Sequence, residues 1–388
     1  MNCVADLPLN SEFSSKIGAS ASMAARLCVF GMLLSCATFW QTVAAETVRI
    51  AALSNADAGT GAGAAIVNAN EAGALGLDNC CCCDSERCGW FAGADYRLVR
   101  THFSEAVAFA TLTAGAGPQG PDLRVRASEL NFDYNSSFMV FAGYHLNDCA
   151  DVRFSYWHLD TSTDVLGAAG PGQVIVDPFG NLAPAGTNIN TTASVRLNVF
   201  DLEYLRRMED PTWPASVMYS AGLRFADVNQ FYESNISAGG QALSDGLFRV
   251  DWFGVGPYGS ITGRTWLGDC RRFSVFAKAG GALLVGNNNV STDVSVTGAF
   301  TGGQSAGRIL VVPVLESELG GSWQNDRWRL SAGWLVQAWF DLGVSGGTFS
   351  GQTLPLVGFP PIQNVFGGAD DSSIMGFDAF FLRAEYNY

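Results

Sequence analysis

Charge is scarce in this 388-residue chain: Asp, Glu, Lys and Arg together make up 15% of it. What charge there is leans acidic, with a formal net charge of −14. Nucleic-acid binding needs a basic face, and this balance does not supply one. After about the first forty residues there is no apolar run of the ~20 residues that a membrane helix requires, which excludes a helical membrane protein. Histidine is nearly absent. Of the three, His145 and His158 fall on the order of 20 Å apart along a hairpin, with His158 facing about Met139, so they share neither a metal nor a proton. No Walker loop or dinucleotide fingerprint follows a strand. Gly59 to Gly63 and Gly302 to Gly307 read as loop composition. No Ser/His pair with an orienting amide is present. His158-Leu159-Asp160 places a histidine and an acid on one strand face, and reads as a polar rim. The expectation is therefore a non-enzymatic chain with no cofactor and no metal.

What is present is glycine, 45 residues of it, and 12% aromatics. That composition suits a β-protein with wide loops. The clearest stretch is the last one. Phe380, Leu382, Ala384, Tyr386 and Tyr388 alternate with Phe381, Arg383, Glu385 and Asn387. This is the period of a strand with one apolar and one polar face. It ends on an aromatic ring, as expected of a closing barrel strand whose outer face meets lipid and whose inner face meets a wet lumen.

The same theme recurs upstream. Trp90 to Leu98, Phe138 to Leu146, Val152 to Tyr156, Val217 to Phe225, Phe273 to Leu283 and Leu330 to Phe340 each carry an apolar face opposite a polar one. In the strand from Thr191 to Arg207 the apolar set changes parity between Val199 and Phe200, which predicts a β-bulge. Pro313 predicts a bulge or a strand end nearby. Short turns are expected at 147–149, 208–215, 267–270 and 324–326. Long loops are expected at about 103–129, 162–190, 233–246, 286–307 and 343–372. Such alternation is the pattern of an outer-membrane barrel with short periplasmic turns and long outer loops. The predicted fold is all-β: a transmembrane antiparallel up-and-down barrel of about ten strands, within a range of eight to twelve, over residues 88–388.

Residues 1–45 read as a secretory signal. Arg26 flanks the apolar stretch Leu27 to Trp40, and Val43-Ala44-Ala45 precedes Glu46 as a cleavage site. Asp6 and Glu12 fit a signal poorly, which makes Met23 the better start. Leu33-Leu34-Ser35-Cys36 partly matches a lipoprotein box, but the apolar Ala37 to Trp40 after it suits the middle of a signal. Residues 46–87 read as a disordered Ala/Gly-rich leader ending in Cys80-Cys81-Cys82-Cys83. Adjacent cysteines lack zinc-site spacing. In an exported protein they suit disulfides, with Cys149, Cys270 or another envelope component as partner.

The candidate functional residues are the inward charges Asp95, Arg97, Arg153, Arg196, Arg224, Lys278, Glu316, Glu318, Arg329, Asp341, Arg383 and Glu385. They would line a narrow pore passing ions or small solutes. The other reading is a plugged barrel that presents its outer loops. Ten strands stand near the closed end of the size range, since about eight give an interior just filled by side chains. The expected partners are outer-membrane lipid and the barrel-assembly machinery through the last strand. Nucleic acid is not among them, and an oligomer is admitted.

Trp90-Phe91-Ala92-Gly93-Ala94-Asp95-Tyr96, Phe225 with Tyr232, and the end from Ile374 to Tyr388 resemble the Legionella-type pore-forming outer-membrane protein family, forms of which occur widely in planctomycete-like bacteria. The resemblance implies a pore-forming outer-membrane barrel over roughly Cys88 to Tyr388. It carries no catalytic residues to transfer.

Overall fold

Alternating side chains write the strands, and backbone pairing closes them into a ring. The computed structural model describes residues 89–104, 107–117, 120–147, 149–209, 215–268, 272–297, 300–342 and 374–388. The expected signal, the leader with its cysteine cluster, and Cys270 lie outside the described residues. Among the described residues the strands are β1 (Trp90–Phe103), β2 (Val107–Gly117), β3 (Gly120–Glu129), β4 (Asn135–Asn147), β5 (Ala150–Ala168), β6 (Gln173–Val176) and β7 (Leu182–Ala183). They continue as β8 (Asn188–Glu209), β9 (Ala215–Ala238), β10 (Gln241–Leu267), β11 (Phe273–Val296), β12 (Phe300–Gln324), β13 (Trp328–Trp339) and β14 (Met375–Asn387).

Ten of these form a closed antiparallel barrel in the order β1-β14-β13-β12-β11-β10-β9-β8-β5-β4. Strand β1 closes it, pairing with β14 on one side (Asp95 opposite Arg383) and with β4 on the other (Asp95 opposite Met139). Closure removes every sheet edge at this level, which a lipid environment demands of backbone polar groups. The outward side chains form an apolar belt, with Leu223, Val275 and Leu330 among its exposed members. Aromatic pairs bound it on both rims. Trp90–Tyr144 at 5.2 Å and Trp328–Tyr386 at 4.9 Å stand at the short-turn end. Tyr156–Phe200 at 4.6 Å and Tyr134–Trp334 at 6.5 Å stand at the other. An apolar belt between two aromatic girdles is what a bilayer-spanning barrel presents.

Four connections at one end are short, as expected: 147 to 150, 209 to 215, 267 to 273 and 324 to 328. The other end departs from expectation. Only Gly239 and Gly240 separate β9 from β10, both at positive φ (57° and 84°), a turn suited to glycine. Strands β11 and β12 likewise run through most of 286–307. The Asn-, Thr- and Gly-rich sequence there reads as loop, yet it is strand whose outer face stands in water beyond the belt. Strands β5 and β8–β12 thus rise past the barrel proper. Pairing of β4 with β5 stops at Phe138 opposite His158, one residue from the expected Met139, whereas β5 stays paired with β8 to Ala168.

Two of the expected long loops also fold. They supply β2–β3 and β6–β7, which form a four-stranded sheet in the order β3-β2-β6-β7. It packs through Ala108, Phe109 and Ile175 on Ile189 and Ile236 of the raised wall. The Phe109 ring occupies the place a Cβ would take on Gly167. Between β6 and β7 the chain turns inward. Phe179 lies 5.7 Å from the Tyr232 ring and over Gly246, inside the main core. Asp177 is buried beside it and accepts hydrogen bonds from Asn181 N (2.7 Å) and Nδ2 (2.9 Å).

The bulge expected between Val199 and Phe200 does not occur, and near Pro313 the structure has the strand end of the two expected alternatives, that of β13. Pairing of β8 runs unbroken on both sides through Val199 and Phe200. The parity change has another cause: Phe200, Leu202 and Tyr204 face lipid, while Val195, Leu197 and Val199 face an apolar interior. Pro313 keeps register with Leu283 and sits one residue past the point where β13 stops pairing, so its missing N–H interrupts no ladder on that side.

Burial pushes the Asp177 carboxyl, which lies beyond the membrane belt, up to about 6. A carboxyl raised above its unfolded value holds its proton more tightly when docked. Docking of the β6–β7 turn is therefore strongest below the ordinary Asp range near 4 and weakens as pH rises to about 6, by up to about 3 kcal/mol. Hydrogen exchange over residues 173–183 should be faster at pH 7.5 than at pH 4.5 after correction for intrinsic rates. Asp177→Asn should flatten that difference; equal protection at both pH values in the native chain would contradict the assignment.

Candidate functional site: the charged interior

Inward positions of neighbouring strands bring charges of opposite sign side by side. The resulting ion pairs run as one alternating chain. Arg97 meets Asp95 at 3.0 Å, and Asp95 meets Arg383 at 2.8 Å. Arg383 meets Glu318 at 3.2 Å, and Glu318 stands 3.7 Å from Lys278. Lys278 meets Glu316 at 2.8 Å, Glu316 meets Arg224 at 3.0 Å, and Arg224 meets Asp201 at 2.7 Å. Four cations and four carboxylates compensate one another, which buried charge requires. Tyr258 Oη donates to Glu316, and Gln337 Nε2 donates to the same carboxylate at 3.1 Å. The Arg224 guanidinium also lies over the Tyr258 ring, 4.2 Å from its centroid. Separate pairs join Arg153 to Glu203 (2.8 Å), Arg329 to Glu385 (2.9 Å) and His145 to Asp151 (2.5 Å).

Ten of the twelve charges expected to face inward do so. Arg196 does not. It points outward above the belt and pairs with exposed Asp160 at 3.0 Å. The unbroken register of β8 puts odd residues inward from end to end, so Arg196 follows from the absence of a bulge. Asp341 is not on the wall either: β13 ends at Trp339, and Asp341 lies exposed in the following turn at φ 62°. Asp201 and Glu203 were missed, although Phe200 and Leu202 facing lipid already implies them. Tyr258 and Arg264 were missed because glycines on both faces of β10 blur its alternation. His158 and Asp160 do not meet: His158 bonds Asn198 at 2.9 Å, and Asp160 is held by Arg196.

Toward the outer side the interior changes character. Trp252 and Trp339 meet edge to face at 6.4 Å, surrounded by Leu197, Val228, Leu284 and Val314, all buried. Gly254 admits the Trp252 ring where any Cβ would clash. The expected narrow polar lumen therefore exists in the periplasmic half only. Among its charges a cavity of about 120 Å³ remains, room for several waters.

A closed ten-stranded ring with an apolar belt, aromatic rims and a charged interior defines an outer-membrane β-barrel. The chain belongs to the Legionella pneumophila major outer membrane protein family, whose sequence profile matches residues 86–353. No curated protein sequence matches it. Among solved structures it is similar to the outer membrane protease OmpT of Escherichia coli, at 9% identity, over 77% of this chain and 97% of that one, with a TM-score of 0.43. It is also similar to Ail, the attachment invasion locus protein of Yersinia pestis, at 12% identity over 78% and 99%, TM-score 0.22. A third similarity is to the Pseudomonas putida toluene transporter TodX, at 8% identity over 77% and 89%, TM-score 0.21.

Glu316→Gln should cost about 3–5 kcal/mol, because Arg224 and Lys278 would each keep a buried charge facing a neutral amide. Arg196→Gln, breaking an exposed pair, should cost no more than about 0.5 kcal/mol. Urea unfolding followed by tryptophan fluorescence compares them, and similar losses for both would refute the ranking.

Proposed function

We propose that this protein is an outer-membrane barrel that is closed at rest and presents its raised outer sheet at the cell surface. The observation that carries this reading is the stack of fillings along its interior. The ion-pair chain occupies the periplasmic half, the Trp252–Trp339 layer lies above it, and the Phe179 turn caps the mouth. An ion would have to cross a layer filled mainly by tryptophan rings and aliphatic side chains, where Asn288 and Gln230 are the few inward polar groups near it, and such apolar constrictions block conduction. The barrel serves as an anchor, and we assign it no catalytic role. Export through a signal ending at Ala45, lipid contact along the belt, recognition of β14 by the assembly machinery, and disulfides at Cys80–Cys83 complete the proposal.

A second reading has its own support. The charged periplasmic half is the wall a selective ion path would need, so a pore that opens by moving the Phe179 turn and the tryptophan layer is the alternative.

Planar-bilayer recording of the chain from Glu46 to Tyr388 decides between them. The closed reading predicts no discrete steps from the native protein and measurable steps once Trp252→Ala and Trp339→Ala remove the apolar layer. Reproducible steps from the native protein, with ion preference altered by Lys278→Gln, would replace it with the pore.

A further inference from the structure

One cation of the interior, Arg264, belongs neither to the ion-pair chain nor to the separate pairs. Arg264, on β10 near the short-turn end, makes no hydrogen bond or ion pair among the described residues. Its guanidinium is held instead by two aromatic rings, 5.7 Å from the centroid of Trp266 and 5.9 Å from that of Phe276. Aromatic faces fix the plane of a guanidinium and leave its N–H edge unspent. Arg264 lines the cavity of about 120 Å³, together with Thr262 and Arg329. Arg329 adds a second unused donor, its buried Nε, while its Nη1 holds Glu385. Carboxylates are present too, but Glu385 and Asp151 are engaged by Arg329 and His145. Around this cavity, with Asp95 included, eight arginine and lysine side chains stand against seven carboxylates. The vestibule is thus cation-rich in a chain whose net charge is −14.

We propose that this vestibule binds a small oxyanion, of the size of phosphate or a short carboxylate, with Arg264 as its principal ligand. The cavity has room for a group of that size and little more. Arg264 offers a planar fork that matches two oxygens of such an anion. The unused Nε of Arg329 is a further donor on the same wall. Arg264 stands one inward position nearer the short-turn end than Thr262, which faces Lys278 across the β10–β11 ladder, so the proposal places anion entry at the periplasmic end and does not depend on whether the barrel conducts.

Isothermal titration of the folded, detergent-solubilised protein with inorganic phosphate, at constant ionic strength in an amine buffer, tests this. Saturable one-site binding is expected. Arg264→Gln should weaken it roughly tenfold or more, the loss of one charge-assisted bidentate contact. Arg196→Gln, on the outer surface, should leave it unchanged. Trp266→Leu keeps the charge but removes a stacking face, and should weaken binding to a smaller degree. Folding of each variant is checked by its heat-shifted electrophoretic mobility. If Arg264→Gln does not fold, Trp266→Leu carries the test. Acetate competing with phosphate would widen the class to carboxylates. No saturable heat with either anion, or equal affinity in folded native and variant proteins, would overturn the proposal. A conducting native barrel would refute the closed reading alone.

Discussion

A carboxylate enclosed by a ten-stranded wall has little water to turn to, so it must find a cation or remain neutral. That constraint organises the interior. Glu316 on β12 is the junction, since it takes Lys278 and Gln337 from its two neighbouring strands, β11 and β13, and Tyr258 and Arg224 from β10 and β9, two and three strands away. The ion pairs tie β1, β14, β12, β11, β9 and β8 together through their side chains, in addition to the backbone ladders. A buried pair of this kind adds little net stability over an apolar replacement, because desolvation offsets the attraction. What it does impose is a penalty on every register in which one partner is missing. A slip of one residue in β12 would turn Glu316 and Glu318 toward lipid and bring Leu315 and Leu319 inside.

Glycine does complementary work on the same walls. Gly320 and Gly333 leave room for the Phe276 and Phe381 rings to lie flat against the backbone, where a Cβ would clash. Those two rings stand 6.3 Å apart at the foot of the ion-pair chain. Bulky rings fill a lumen that ten strands make slightly too wide for side chains of ordinary size. Small and large residues therefore alternate across facing strands, and the interior closes without distorting the barrel.

The alternation in β1, β4, β9, β11, β13 and β14 was legible because those strands are lipid-facing on one side and polar on the other over the span that was read. Ten strands, the short turns and ten of the twelve inward charges followed from it. The failures share a physical cause. Where a strand leaves the bilayer its outer face turns polar, and where the lumen fills with core its inner face turns apolar. In β8 both changes happen near Val199, so a straight strand imitates a bulge and Arg196 is assigned to the wrong face. In β11 and β12 the segment 286–307 loses its apolar face and imitates a loop. Residues 107–129 and 173–183 offer too few alternating positions to reveal a sheet made by strands from two separate connections.

The sequence by itself determined the fold class, the number of barrel strands, and which side of most of them meets lipid, because side-chain direction in a strand is fixed by the parity of the residue number. Only the tertiary structure decided what the inside is. Whether inward charges line an open path or pair into a closed network depends on which strands become neighbours and in what register. Pairing of Asp95 with Arg383, of Arg224 with Glu316, and the descent of Phe179 into the mouth are each set by contacts between residues far apart in the chain, and no local pattern encodes them.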